Sequence, residues 1–91
     1  MNAVVIALPE NDGLARALAA ALDAEIGALE VRRFPDGETY VRLDTTVAGR
    51  DVVIAASLNE PDAKLAPLLF MSRTARALGA ASIVLAAPYL A

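Results

Sequence analysis

Three short apolar runs rich in β-branched residues constrain this chain more than any other feature: Ala3 to Leu8 (AVVIAL), Asp51 to Ser57 with its VVIAA core, and Ser82 to Ala87 (SIVLAA). A strand with one wetted face alternates apolar and polar residues. These runs offer no polar face, so each is expected to be buried on both sides, as in a parallel sheet covered by helices. The stretches between them supply the helices. After Asn11, Asp12 and Gly13, which provide capping side chains and a turn, Leu14, Leu18 and Leu22 recur every fourth residue with alanines between them. That spacing predicts an amphipathic helix with its leucines in the core, broken at Gly27. A second helix is expected from a capping-box-like start at Asn59 and Asp62, through Leu65, Leu69, Ala75 and Leu78, to Gly79. Pro67 lies inside it, and an interior proline removes a backbone hydrogen bond at a cost of about 3 kcal/mol, so a late start or a kink is expected.

Two further strands have one apolar face each. Leu29 to Arg33 places Leu29 and Val31 opposite Glu30 and Arg32, and Thr39 to Leu43 places Val41 and Leu43 opposite Tyr40 and Arg42. Between them, Phe34-Pro35-Asp36-Gly37-Glu38 carries Pro, Asp and Gly in turn order, which suits a hairpin loop between antiparallel strands. Ala48 and Gly49 mark the next turn. The order β-α-β-β-β-α-β implies an α/β fold: a largely parallel sheet with flanking helices and an antiparallel hairpin extension. In such sheets ligands gather outside the carboxyl ends of the strands, here Pro9 to Asp12, Ser57 to Glu60 and Pro88 to Ala91.

Composition narrows the chemistry. The chain has no cysteine and no histidine, which removes disulfides, Ser-His and Cys-His catalysis and the common zinc sites. A net charge of −3 with no run of Lys or Arg argues against nucleic acid. No apolar stretch is long enough to span a bilayer, the first residues lack the basic start of a signal peptide, and the cytoplasm is the expected compartment. No GxxxxGK[ST], GxGxxG or GxSxG motif is present, and Leu8-Pro9 gives no acidic cluster at the end of the first strand for a receiver-type magnesium site. Ninety-one residues, 57% of them hydrophobic, hold more core-forming side chains than one small domain easily hides, and the last strand runs to the final residues. Residues 1–91 are therefore expected to form a single, truncated domain of a longer protein or an oligomer.

The segment Arg33-Phe34-Pro35-Asp36-Gly37-Glu38-Thr39-Tyr40-Val41-Arg42 closely resembles the RFxDGExxVxx stretch near the amino terminus of ribose-phosphate pyrophosphokinases. Val47-Ala48-Gly49-Arg50-Asp51-Val52 is similar to that family's V-R-G-x-D-V, the helix ending in Gly-Ala-Ala matches in length, and Ala87-Pro88-Tyr89 resembles its P-Y at a strand end. The resemblance covers nearly the whole chain in order. It implies a phosphoribosyltransferase-like half-domain and transfer of pyrophosphate from magnesium-ATP to the 1-hydroxyl of ribose 5-phosphate, giving phosphoribosyl pyrophosphate and AMP. It also implies a homo-oligomer, a hexamer or dimer, in which the hairpin reaches a neighbouring subunit and holds the adenine of its ATP.

Carried over by position, Phe34, Asp36 and Glu38 are the adenine-binding residues. Their chemistry suits that role, because a ring stacked on a base contributes about 1 to 3 kcal/mol and carboxylates accept hydrogen bonds from an exocyclic amine. Guanine would turn a carbonyl toward those carboxylates and leave acceptors unpaired. The plainer reading is that Pro35-Asp36-Gly37 is only a turn, with Phe34 packed on the hairpin and Glu38 solvated.

Departures from the family pattern matter. Ala48 stands where the family's phosphate-contacting turn has Arg, which argues against the usual phosphate activation and ADP inhibition, and Pro61-Asp62-Ala63-Lys64 replaces an Asn-Asp-Asn run. The family's metal-binding histidine, its catalytic lysine and arginine and its ribose-phosphate loop correspond to positions after Ala91. No catalytic residue and no metal ligand is therefore expected in this chain, and a non-catalytic relative that binds and regulates a true synthase is the alternative. Lys64, the only lysine, reads as a solvated helix residue, and Arg73 and Arg76 as a polar helix face. Arg32 and Arg33 flank the loop, where they could offset its acids.

Overall fold

A computed structural model describes residues 2–57 and 61–87. Strand β1 (Ala3–Ala7) is followed by helix α1 (Asp12–Leu22), the two-residue strand β2 (Glu25–Ile26), the hairpin strands β3 (Leu29–Arg33) and β4 (Thr39–Leu43), strand β5 (Asp51–Ala55), helix α2 (Pro61–Ala77) and strand β6 (Ser82–Ala86). The main sheet has the order β2-β1-β5-β6 and every pairing in it is parallel. The three apolar runs thus lie side by side, Val4 opposite Val52 and Val52 opposite Ile83.

Alternation sends each strand's side chains to two faces, and both faces of β1 and β5 are covered. On one side Val5, Val53 and Ala55 meet Ala15 and Ala19 of α1. On the other, Val4, Ile6, Leu8, Val52, Ile54 and Ala56 form the larger core with Val47 and with Met71 and Ala75 of α2. Each of the large aliphatic side chains buried there contributes about 1.5 to 3 kcal/mol of hydrophobic stabilisation.

Several expectations are corrected. The helix α1 turns alanines rather than leucines to the sheet. Leu14 and Leu18 flank the contact and Leu22 is 43% exposed. Small side chains let the helix lie close on the flat strand surface, and the leucines spread around its edges. Asn11 does not cap α1 through its side chain, which is directed elsewhere. The helix α2 begins at Pro61 and runs without a break past Pro67, whose ring is buried, so the late start is not observed. Among the described residues strand β6 is at the edge of the sheet, paired only with β5, and Val84 is 53% exposed, so it is not buried on both faces as expected. Asn59 and Tyr89 lie outside the described residues, as do the side chains of Asp62 and Lys64.

The hairpin is a sheet of its own. Strands β3 and β4 pair in register from Leu29 opposite Leu43 to Arg33 opposite Thr39. They lay Leu29, Val41 and Leu43 against the larger core, on the same side as α2. Strand β4 runs antiparallel to α2, with Thr39 beside Ala66 and Phe70 in the first half of the helix, and Leu43 beside Leu78 past its end. Since α2 follows the carboxyl end of β5, the hairpin tip points toward the carboxyl edge of the main sheet.

Candidate functional site

At the tip, the Phe34 N–H donates to the Glu38 carbonyl at 2.8 Å and the Gly37 N–H donates to the Phe34 carbonyl at 2.9 Å. This is a three-residue hairpin loop closed by a glycine bulge, and Gly37 has the required positive φ of 90°. Asp36 Oδ1 accepts the Glu38 N–H at 3.0 Å, an Asx turn that fixes the far side of the loop. One carboxylate oxygen of Asp36 is thus engaged in shaping the tip. The Glu38 side chain makes no hydrogen bond or ion pair among the described residues.

Phe34, Asp36 and Glu38 are all exposed, Phe34 at 45%, so the tip is not folded into its own domain. The structure brings the three residues to one loop but not to one hollow. Phe34 borders a shallow depression of about 210 Å³ with Glu30, Arg32, Tyr40 and Arg42. Glu38 borders a groove of about 420 Å³ against α2, with Gly37, Thr39, Ala66 and Phe70.

Of the two arginines expected to offset the acids of the loop, Arg32 pairs with Glu30 instead, and Arg33 forms no ion pair among the described residues. Arg42 Nε lies 2.7 Å from Asp44 Oδ1. Glu30 lies two residues before Arg32 on β3, and Asp44 lies two residues after Arg42, just past the end of β4; neither pairing involves an acid of the tip. Arg73 and Arg76 are exposed on α2 as expected.

A second feature escaped the sequence pattern. The strand order reverses between β1 and β5, which makes the gap outside their carboxyl ends the switch point of the sheet. Asn11 closes that gap. Only 7% exposed, it accepts the Ser57 N–H through Oδ1 and donates through Nδ2 to the Pro9 carbonyl, both at 2.9 Å. The residue type fitted a helix cap equally well, and no signal in the sequence separates the two uses. At the opposite edge of the sheet, Arg50 donates to the carbonyls of Ala3 and Thr46 and pairs with Glu25 at 3.4 Å, tying β2 to the turn before β5. Ala48 and Gly49 form that turn.

Residues 3–91 match the family model of the N-terminal domain of ribose phosphate pyrophosphokinase. The chain belongs to the ribose-phosphate pyrophosphokinase family. The ribose-phosphate pyrophosphokinase of Methanopyrus kandleri is 36% identical over 88 residues, 97% of this chain and 30% of the relative. That of Thermoplasma acidophilum is 36% identical over 85 residues, 93% of this chain and 29% of the relative. The chain therefore spans about 30% of the length of the pyrophosphokinases it matches. Among solved structures, the phosphoribosylpyrophosphate synthetase of Mycobacterium smegmatis superposes with a TM-score of 0.84 at 29% identity, covering 97% of this chain and 30% of that one. A purine phosphoribosyltransferase from Pyrococcus horikoshii superposes at 0.73 with 15% identity over 94% of this chain and 58% of its own, a likeness of fold alone.

Among the described residues, no group of three His, Cys, Asp or Glu side chains is placed to hold a metal ion, and no helix is long and apolar enough to cross a membrane. The described part of this ribose-phosphate pyrophosphokinase domain thus offers a β-ribbon tip with an aromatic ring and two carboxylates.

Proposed function

We propose that residues 1–91 are the amino-terminal domain portion of a cytoplasmic ribose-phosphate diphosphokinase and supply its purine-holding hairpin. The reaction is pyrophosphoryl transfer from magnesium-ATP to the 1-hydroxyl of ribose 5-phosphate, yielding phosphoribosyl pyrophosphate and AMP. Phe34 stacks on the adenine, while Glu38 and the remaining oxygen of Asp36 accept hydrogen bonds from its exocyclic amine. Magnesium enters as the magnesium complex of ATP, held by the nucleotide's phosphates.

The observation that carries this reading is the accessible tip, where a half-exposed ring and two acids are held on a ribbon separate from the main sheet. The Glu38 carboxylate and one oxygen of Asp36 have no partner among the described residues, and nearly half of Phe34 is exposed. They suit a base bound to a second copy in a homo-oligomer. The test is the ATP dependence of the full-length polypeptide after Phe34→Ala and Glu38→Ala. Apparent ATP affinity falls in both if the hairpin holds the base, and unchanged affinity in both removes the adenine role.

A further inference from the structure

The Phe34 ring is not alone on its side of the hairpin. Residues directly opposite one another across an antiparallel pair share a face, and those two positions further along share it too. Phe34 lies opposite Glu38 at the loop closure, and Tyr40 follows two residues later, itself opposite Arg32. The Phe34 and Tyr40 ring centroids are 6.3 Å apart with their planes at 61°, an edge-to-face diagonal pair. Both rings border the same depression, and both are largely exposed, Tyr40 at 41%.

An exposed phenylalanine at a loop tip would ordinarily sample several rotamers, and a ligand that stacks on it must stop that motion at a loss of affinity. A neighbour that fixes the ring beforehand removes part of that loss. Tyr40 stands on β4, the strand that packs against α2, so its backbone is tied to the body of the domain rather than to the loop. The two rings are inclined at 61° rather than stacked, so Tyr40 covers at most one face of Phe34 and leaves the other for a base.

Resting on the purine-holding role of the hairpin, we infer that Tyr40 is a positioning residue that holds the Phe34 ring ready to stack on the nucleotide base. The contact is made by the rings, so the tyrosine hydroxyl is dispensable and the ring is not.

The test is steady-state kinetics of the full-length polypeptide with ATP varied at saturating ribose 5-phosphate. The variants are Phe34→Leu, Tyr40→Leu, Tyr40→Phe and the Phe34→Leu, Tyr40→Leu double variant. Tyr40→Leu raises the KM for ATP about 2- to 10-fold, the size of a lost aromatic pair. It leaves kcat and the KM for ribose 5-phosphate unchanged, and Tyr40→Phe restores the KM for ATP. With the Phe34 ring already absent, removing Tyr40 adds nothing, so the double variant matches Phe34→Leu. A wild-type KM in Tyr40→Leu, or multiplied losses in the double variant, overturns the role of Tyr40 while a raised KM in Phe34→Leu keeps the purine reading. An unchanged KM in Phe34→Leu overturns the purine reading and the role of Tyr40 with it.

Discussion

Asn11→Ser destabilises the domain nearly as much as Asn11→Ala, although serine is as good a helix-capping residue as asparagine. Asparagine at this position reaches from the β1–α1 loop to the Ser57 N–H and back to the Pro9 carbonyl, with 2.9 Å bonds to each. Serine is one bond shorter and cannot span the gap. Each bond is worth about 1 kcal/mol net, and the burial of Asn11 means its former partners are poorly served by water, so the loss is about 2 to 3 kcal/mol for either variant. A domain of this size has a total stability of about 5 to 14 kcal/mol. A loss of that size lowers the melting temperature by about 10 to 20 °C. Equilibrium urea unfolding of the chain, followed by far-ultraviolet circular dichroism, measures it. If Asn11→Ser stays within about 0.5 kcal/mol of the parent while Asn11→Ala does not, Asn11 is a helix cap after all and the bridge across the switch point is refuted.

Two glycines give opposite kinds of prediction. A Cβ at Gly37 would meet nothing within 4 Å, so Gly37→Ala costs only its left-handed backbone, about 1 to 2 kcal/mol. Asparagine there costs less than alanine, a ranking that thermal melts of the two variants check. A Cβ at Gly27 would lie 3.0 Å from Val4 Cγ2 and 3.1 Å from Ile6 Cγ1, both in the core. Gly27→Ala therefore strains the packing by about 1 to 3 kcal/mol, and a melting temperature equal to the parent would contradict that close approach.

Much of this architecture is written in periodicity. The uninterrupted apolar runs marked β1 and β5 as strands covered on both faces, and the two-residue alternation of Leu29 to Arg33 and Thr39 to Leu43 fixed which hairpin residues face the core. The turn chemistry of Pro35, Asp36 and Gly37 located the loop, because each of those residues favours one backbone position there. What stayed hidden depends on the partner rather than on the segment. Alternation shows that Val41 and Leu43 face inward, where they are half-buried, but not that α2 packs on their strand or that the hairpin stands apart from the main sheet. The leucine repeat of α1 marks an apolar stripe, and only the closeness of the strands decides that Ala15 and Ala19 take its centre.

The candidate site was legible in the same uneven way. Phe34, Asp36 and Glu38 sit at the tip, as their spacing implied. The Asx turn that engages Asp36, the pairing of Arg32 with Glu30, and the ring of Tyr40 against Phe34 depend on side-chain rotamers that residue spacing does not set. Tyr40 carried a signal that could have been used, since it shares the outward face with Arg32 and follows the loop by two residues.

The most direct measurement of the proposed role is photolabelling of the full-length polypeptide with an azido-purine analogue of ATP, followed by peptide mapping. Label on the hairpin peptide that contains Phe34 to Tyr40, suppressed by excess ATP, is the predicted result. Label that ATP suppresses only at peptides outside the hairpin would contradict a base held at its tip.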